Sequence, residues 1–332
     1  MTVSSALTFA SRDLRVTVNP RVGGTITSIT HRDTGLSVLG SVPWQVVDAP
    51  IESGAARDEP EWLTRYTGGW TLLFPNGGDA CTVDGVFHGF HGEASIAPWT
   101  AIFSANALIL TRRFDTVPVE MKRELAIEND LLVLREHLRL HGDRPIEVMW
   151  GHHPTLGSDL LAGPVEITTG ARQVSVEATY DPPTNPLLPG ATGAWPIIAG
   201  KDGPVDLSRP SAPMASLAYL HDFDDAWIAV RRRDNAIAVA LSWEAARFPC
   251  AWLWYELGGT AEAPWQSKAQ LIGIEPNTTR PGLGLQKAKA SGGTLLRLNP
   301  GEQLDATVRF HVFSPSGPVT GIDSVGRAIE VK

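Results

Sequence analysis

Glu275 is an acid set at the end of an apolar strand. In QLIGIEP, residues 270–276, alternation places Ile272 and Ile274 on one face and Leu271, Gly273 and Glu275 on the other. Burial there would raise the carboxyl pKa, which suits a general base near neutral pH. The same letters fit a Glu turned to solvent, and the stretch alone does not choose. In MWGHHPTLG, residues 149–157, His152 and His153 are adjacent. On a strand they point opposite ways, so one at most faces a given pocket. A surface pair is the plain alternative, but the flanking Trp150 and the Pro-Thr-Leu-Gly turn favour a functional reading. FHGFHGEASIAPW, residues 87–99, crowds two of the chain's nine histidines between glycines.

Metal binding fits that last stretch poorly. His-x-His on a strand puts both rings on one face, whereas a spacing of three, with a glycine after each His, matches neither a strand nor a helix ligand pair. The glycines instead let backbone approach a ligand closely, with His91 as a hydrogen-bond partner and His88 serving the turn. No metal or cofactor is expected. GGWTLLFPNGGD lacks the GxGxxG of a dinucleotide site, no GxSxG elbow occurs, and DFDD at 222–225 lacks calcium-loop spacing.

The elements that must position these groups are strands. Leu14, Val16 and Val18 alternate, as do Val119, Met121, Leu125 and Ile127; Leu132, Leu134, Leu138 and Leu140 share a face that Glu136 interrupts. Residues 226–243 read as a hairpin turning at Asp234-Asn235. Residues 250–256, 269–275, 293–298 and 305–313 each fit a strand. PEWLTRYTGG, 60–69, is the best helix signal, with Pro60 near its first turn and Gly68 and Gly69 as a stop. Residues 181–213 hold eight prolines and read as a long irregular loop over one large sandwich. The expectation is an all-β chain of large antiparallel sheets with few short helices, forming one domain over 1–332.

Bulk properties narrow the function. A net charge of −8 disfavours nucleic acid as a partner. No stretch reaches the roughly 20 apolar residues of a membrane span, and the N-terminus shows no basic region leading into an apolar run. Two distant cysteines make no disulfide framework. These features give the expectation of a cytoplasmic protein and leave a homodimer open. Eleven tryptophans against four tyrosines suit sugar binding, since an indole face matches the C–H face of a pyranose.

The order GGW…FPNGGD (68–79), HGE (91–93), GHHPTLG (151–157), WLWYE (252–256) and GIEPNTTRPG (273–282) resembles the galactose mutarotase-like superfamily, whose namesake is aldose 1-epimerase, across roughly residues 12–313. The resemblance implies a β-supersandwich with a sugar site across one sheet. It implies Glu275 as base, His153 as acid and His91 as a sugar ligand. Asn76, His152, Trp99 and Trp252 are the further candidates for substrate binding. The chain departs from the family pattern in three places. Thr155 and Leu156 replace the aromatic after the acidic His, His152 or Gly151 replaces the preceding Asn, and Glu93, Ala94 and Ser95 stand where relatives place an Arg. These changes argue against a galactose-specific enzyme and fit a divergent branch. The implied reaction is exchange of the α and β anomers of a small free sugar. The alternatives are a non-catalytic sugar binder, and a hydrolase or lyase pairing Glu275 with Glu93 or Glu256.

Overall fold

Alternating apolar residues dominate the chain, and strands dominate the structure. A computed structural model of the protein describes residues 6–51, 54–104 and 106–331. Among them the only α-helices are Glu59–Leu63 and Leu285–Ala290. Sixteen strands form one continuous hydrogen-bonded sheet that doubles back on itself. One layer runs Leu7–Ala10, Leu14–Asn19, Thr25–His31, Trp70–Leu73, Gly151–Leu156, Gln270–Asn277, Cys250–Leu257 and then the first half of Met214–Arg232. The other layer starts from the second half of Met214–Arg232 and continues through Ala238–Trp243, Gln303–Phe313, Leu131–Leu140, Val119–Glu128, Ala107–Arg113 and Thr100–Phe103. Every pairing between these strands is antiparallel, as expected from the short connections between them.

The 19-residue strand Met214–Arg232 serves both layers because it bends in the middle. Asp222 there has φ +58°, and its partner Val165–Val176 slips register between Thr169 and Ala171. The extra residues lie on Met214–Arg232, where 224–227 face Gly170 alone, and such a bulge-like insertion bends its strand and increases the local twist.

The core fills the space between layers. Leu72, Leu253, Ile272 and Ile274 point inward from one layer and meet Leu132, Leu134, Leu138 and Phe310 from the other. Trp70 and Phe310 touch directly across the gap, with ring centroids 5.5 Å apart. Burial of these side chains removes apolar surface from water at roughly 25 cal/mol per Å².

Glu136, the break in its apolar row, also points inward. It lies directly opposite Arg123 on the neighbouring strand. Arg123 Nε donates to Glu136 Oε1 at 2.7 Å, and Trp150 Nε1 donates to Oε2 at 3.1 Å. Both members of the ion pair are fully buried. Burial opposes ionisation of Glu136, but His152 and Arg123 beside it outweigh burial and hold its pKa down to about 2.

Three expectations are revised. The first helix spans Glu59–Leu63 and stops well short of residue 69. Asp58 caps it by accepting from the Glu61 N–H, and the chain leaves it before the positive-φ Gly68 and Gly69. The proline-rich segment 181–213 holds three short strands, Thr192–Ala194, Ile197–Gly200 and Gly203–Asp206. The last two pair as an isolated hairpin, where a Pro costs no interior ladder bond. The strand expected at 293–298 is confined to Leu296–Leu298, behind the helix Leu285–Ala290, which the sequence reading missed. No helix among the described residues is long and apolar enough to cross a membrane.

Removing one member of a buried ion pair strands the other, a loss of about 3–5 kcal/mol. Glu136→Ala is therefore expected to lower the urea unfolding free energy by about that amount. A loss below about 1 kcal/mol would show that Arg123 finds other partners.

Candidate active site

The pleat of the strand Gly151–Leu156 sends His152 to the core and His153 to the outer face of the first layer. The next strand, Gln270–Asn277, runs antiparallel with Gly151 opposite Asn277 and Thr155 opposite Gly273. That register sets His153 across from Glu275. His153 Nε2 lies 3.4 Å from Glu275 Oε1, and both side chains are buried. On the far side, Trp252 pairs in register with Glu275 and Trp254 with Gly273. The outer face of three adjacent strands thus carries an acid, an imidazole and two indoles.

Space for the carboxyl comes from Gly273. A Cβ there would lie 2.5 Å from Glu275 Oε1 and 3.2 Å from Trp254. Gly273→Ala is expected to drive the carboxyl away from His153. A crystal structure of that variant with the 3.4 Å separation intact would refute the point.

Loops close the face into a cleft of about 400 Å³, within the size range of small-ligand sites. Trp62, in the first helix, and Tyr66, just after it, stack on each other at 4.4 Å. Trp62 also meets His91 edge-on at 4.7 Å. His91 has φ +57°, a backbone region that non-glycine residues seldom adopt. A reciprocal pair of bonds holds it there: its N–H donates to Gly78 O, and its Nδ1 accepts from Gly78 N–H, both at 2.9 Å. With Nδ1 occupied as an acceptor, the neutral ring carries its proton on Nε2. Burial, reinforced by His153, depresses the His91 pKa well below the usual histidine value.

His153 is pulled down to about 4, and burial is the main cause. Burial also raises the Glu275 carboxyl well above the ordinary carboxylate range. Both shifts disfavour charge, so at neutral pH the pair tends toward a neutral state. Glu275 Oε2 has no hydrogen-bond partner among the described residues. A buried carboxyl oxygen left open in a cleft is a position for a ligand hydroxyl.

Of the residues nominated from the sequence, Glu275, His153, His91 and Trp252 meet in this cleft. The other three lie elsewhere. His152 faces the core, where Trp70 Nε1 donates to its Nδ1 at 3.2 Å and its Nε2 is 3.4 Å from Glu136 Oε2. Trp99 is packed between Phe114 and the Arg123 guanidinium and donates to Ala94 O. Asn76 ties loops together beneath the cleft, donating to Asp79 O and Gly89 O and accepting from Leu285 N–H. The carboxylates weighed as partners for Glu275 are already engaged. Glu93 is held by Arg112 and by the Asp115 and Thr116 amides. Glu256 accepts from the Gly259 and Thr260 amides and the Thr260 hydroxyl. His88 is buried outside the cleft.

The sequence reading missed Tyr66, Trp62 and Trp265 as cleft residues, along with the acidic rim of Glu59, Asp79 and Glu262. Tyr66 and Trp62 stand in the helix signal itself, on the side a one-turn helix leaves free. Of the proline-rich segment, Pro182 alone lines the cleft. Among the described residues no group of three or more His, Cys, Asp or Glu is placed to hold a metal ion.

The fold is that of galactose mutarotase-like structures. A Synechocystis sp. PCC 6803 protein superposes with a TM-score of 0.65 at 18% identity, covering 95% of this chain and 98% of its own. A galactose mutarotase related enzyme from Lactobacillus acidophilus gives 0.61 at 17% identity, over 93% and 97% of the two chains. An aldose epimerase homologue from C. elegans gives 0.59 at 13% identity, over 94% and 99%. No protein-family model and no curated protein matches the sequence.

The depressed His153 pKa makes a prediction about stability. A ring that resists protonation when folded supports the fold above its unfolded pKa near 6.5, and that support fades as pH falls through about 4. Glu275, shifted upward, has the opposite sign: its burial weakens the fold as pH rises. Between pH 7 and pH 4.5 the wild type should therefore lose more thermal stability than His153→Asn. Equal losses in both proteins would refute this.

Proposed function

We propose that this cleft is the active site of a mutarotase, an isomerase that exchanges the α and β anomers of a free sugar. The observation that carries the reading is the buried Glu275–His153 pair with an open carboxyl oxygen facing an aromatic cleft. Anomer exchange needs two groups of opposed protonation state on one substrate. Ring opening starts with the shared proton moved across the 3.4 Å gap from Glu275 to His153 Nε2, and the carboxylate so formed takes the proton of the C1 hydroxyl. The C1–O5 bond breaks, its electrons pass to O5, and His153 Nε2 gives O5 a proton. After rotation about C1–C2, closure on the other face returns both protons. The pair holds one proton throughout, and no redox step is involved. His91 Nε2–H is a donor for a sugar oxygen, and Trp252 and Trp254 offer apolar faces to ring C–H groups.

Charge narrows the substrate. Among the described residues no Lys or Arg lines the cleft, whereas Glu59, Asp79, Glu256 and Glu262 do. An anionic sugar would meet like charge at short range, so the preferred substrate is neutral or cationic.

Anomer exchange followed by NMR tests both points. Wild type is expected to accelerate exchange of neutral hexoses or pentoses or of glucosamine, and to act poorly on glucose 6-phosphate and glucuronate. Glu275→Gln should slow exchange by about 10²–10⁴-fold. The rate should drop as pH approaches about 4, where His153 takes a second proton into the pair, and again at alkaline pH, where the shared proton is lost. Full activity in Glu275→Gln removes the acid-base assignment, and binding without exchange makes this a sugar-binding protein.

A further inference from the structure

His153 has a second nitrogen, and its surroundings are as constrained as those of the first. Nδ1 lies 3.0 Å from Thr155 Oγ1, and Thr155 Oγ1 lies 2.7 Å from the Tyr66 hydroxyl. Thr155 is completely buried and Tyr66 nearly so. Neither hydroxyl has a further side-chain partner among the described residues.

Each hydroxyl carries one proton. An arrangement in which Nδ1–H and Tyr66 both donate to Thr155 would strand the buried Thr155 proton, so with that proton bonded the chain Nδ1···Thr155···Tyr66 runs in two directions. In one, Tyr66 donates to Thr155 and Thr155 to Nδ1, which leaves the ring proton on Nε2. In the other, Nδ1–H donates to Thr155, Thr155 donates to Tyr66, and the phenolic proton of Tyr66 is left over. The proposed reaction, on which this inference rests, selects the second direction. Nε2 faces Glu275 and must give up and recover a proton. Once Nε2 has given its proton, the neutral ring must carry the other on Nδ1, and the side-chain acceptor in reach of Nδ1 among the described residues is Thr155. Tyr66 lines the cleft, so its spare proton turns to the ligand.

We propose that Thr155 is a positioning residue that fixes the Nδ1–H tautomer of His153, and that the same bond direction makes Tyr66 a hydrogen-bond donor to the sugar. Thr155 stands two residues from His153 on the same pleat face, so the strand itself sets the bond. In a low-dielectric site such a chain holds its direction firmly, because an unpaired buried hydroxyl is costly.

The test is long-range ¹⁵N–¹H NMR of uniformly labelled protein near pH 7, with His153 assigned through His153→Asn. Wild type should show the proton on Nδ1. Thr155→Val, which removes the acceptor, should move it to Nε2 and lower kcat by about ten- to a hundredfold. Thr155→Ser should restore both. Tyr66→Phe should keep the tautomer and raise KM by roughly tenfold, with a smaller effect on kcat. A wild-type ring protonated on Nε2 overturns the proposal, as does a Thr155→Val spectrum identical to wild type. The spectrum is read without substrate, so a Nδ1–H ring in a protein that exchanges no sugar sinks the mutarotase reading and sustains the tautomer assignment.

Discussion

A pleated strand turns successive side chains to opposite faces, and this chain places two histidines on that pleat. His152 points inward and closes a polar cluster with Glu136, Arg123, Trp70 and Trp150 between the sheets. His153 points outward to Glu275. The strand Gly151–Leu156 is therefore pinned from below by buried polar contacts while it presents the reactive ring above. A one-residue slip would put one ring in the other's place and Gly151 or Pro154 in the position vacated, so that either Glu136 or Glu275 would lose its imidazole. The core cluster and the site depend on the same register.

Much of the fold was legible because period-two alternation survives in single sequences. The Glu275 face of Gln270–Asn277 and the hairpin at Asp234-Asn235 both follow from it. The bent strand Met214–Arg232 was not legible. Its bend comes from extra residues of its own, between Phe223 and Ile228, which show only against a partner strand about 50 residues away in sequence, and the polar run DFDD hides it. The pair Arg123–Glu136 was readable in principle. Arg123 is in phase with Met121 and Leu125, and Glu136 with Leu134 and Leu138, so opposite charges fall on facing rows of one hairpin.

Site residues divided along a similar line. Glu275 and His153 could be reached from strand phase together with the order of motifs. Asn76, His152 and Trp99 could not be told from ligand-binding residues by type, because polar and aromatic groups also serve as internal ties. Trp62 reaches the cleft from within the one-turn first helix and Tyr66 from the chain just after it, an arrangement the longer helix read from the sequence did not suggest. The proline-rich segment drew attention by its composition, yet one of its residues touches the cleft.

Glu275 Oε2 sits buried without a partner among the described residues, and His91 is held at φ +57°. Both are costs that a folded protein has reason to shed. Selection for thermal endurance alone would replace the carboxyl with an apolar side chain of similar size and relax the loop around His91. Under the proposed function, the most heat-resistant descendants of this chain would then be found among the inactive ones, and a hunt for stabilising substitutions would converge on the cleft unless turnover were screened as well.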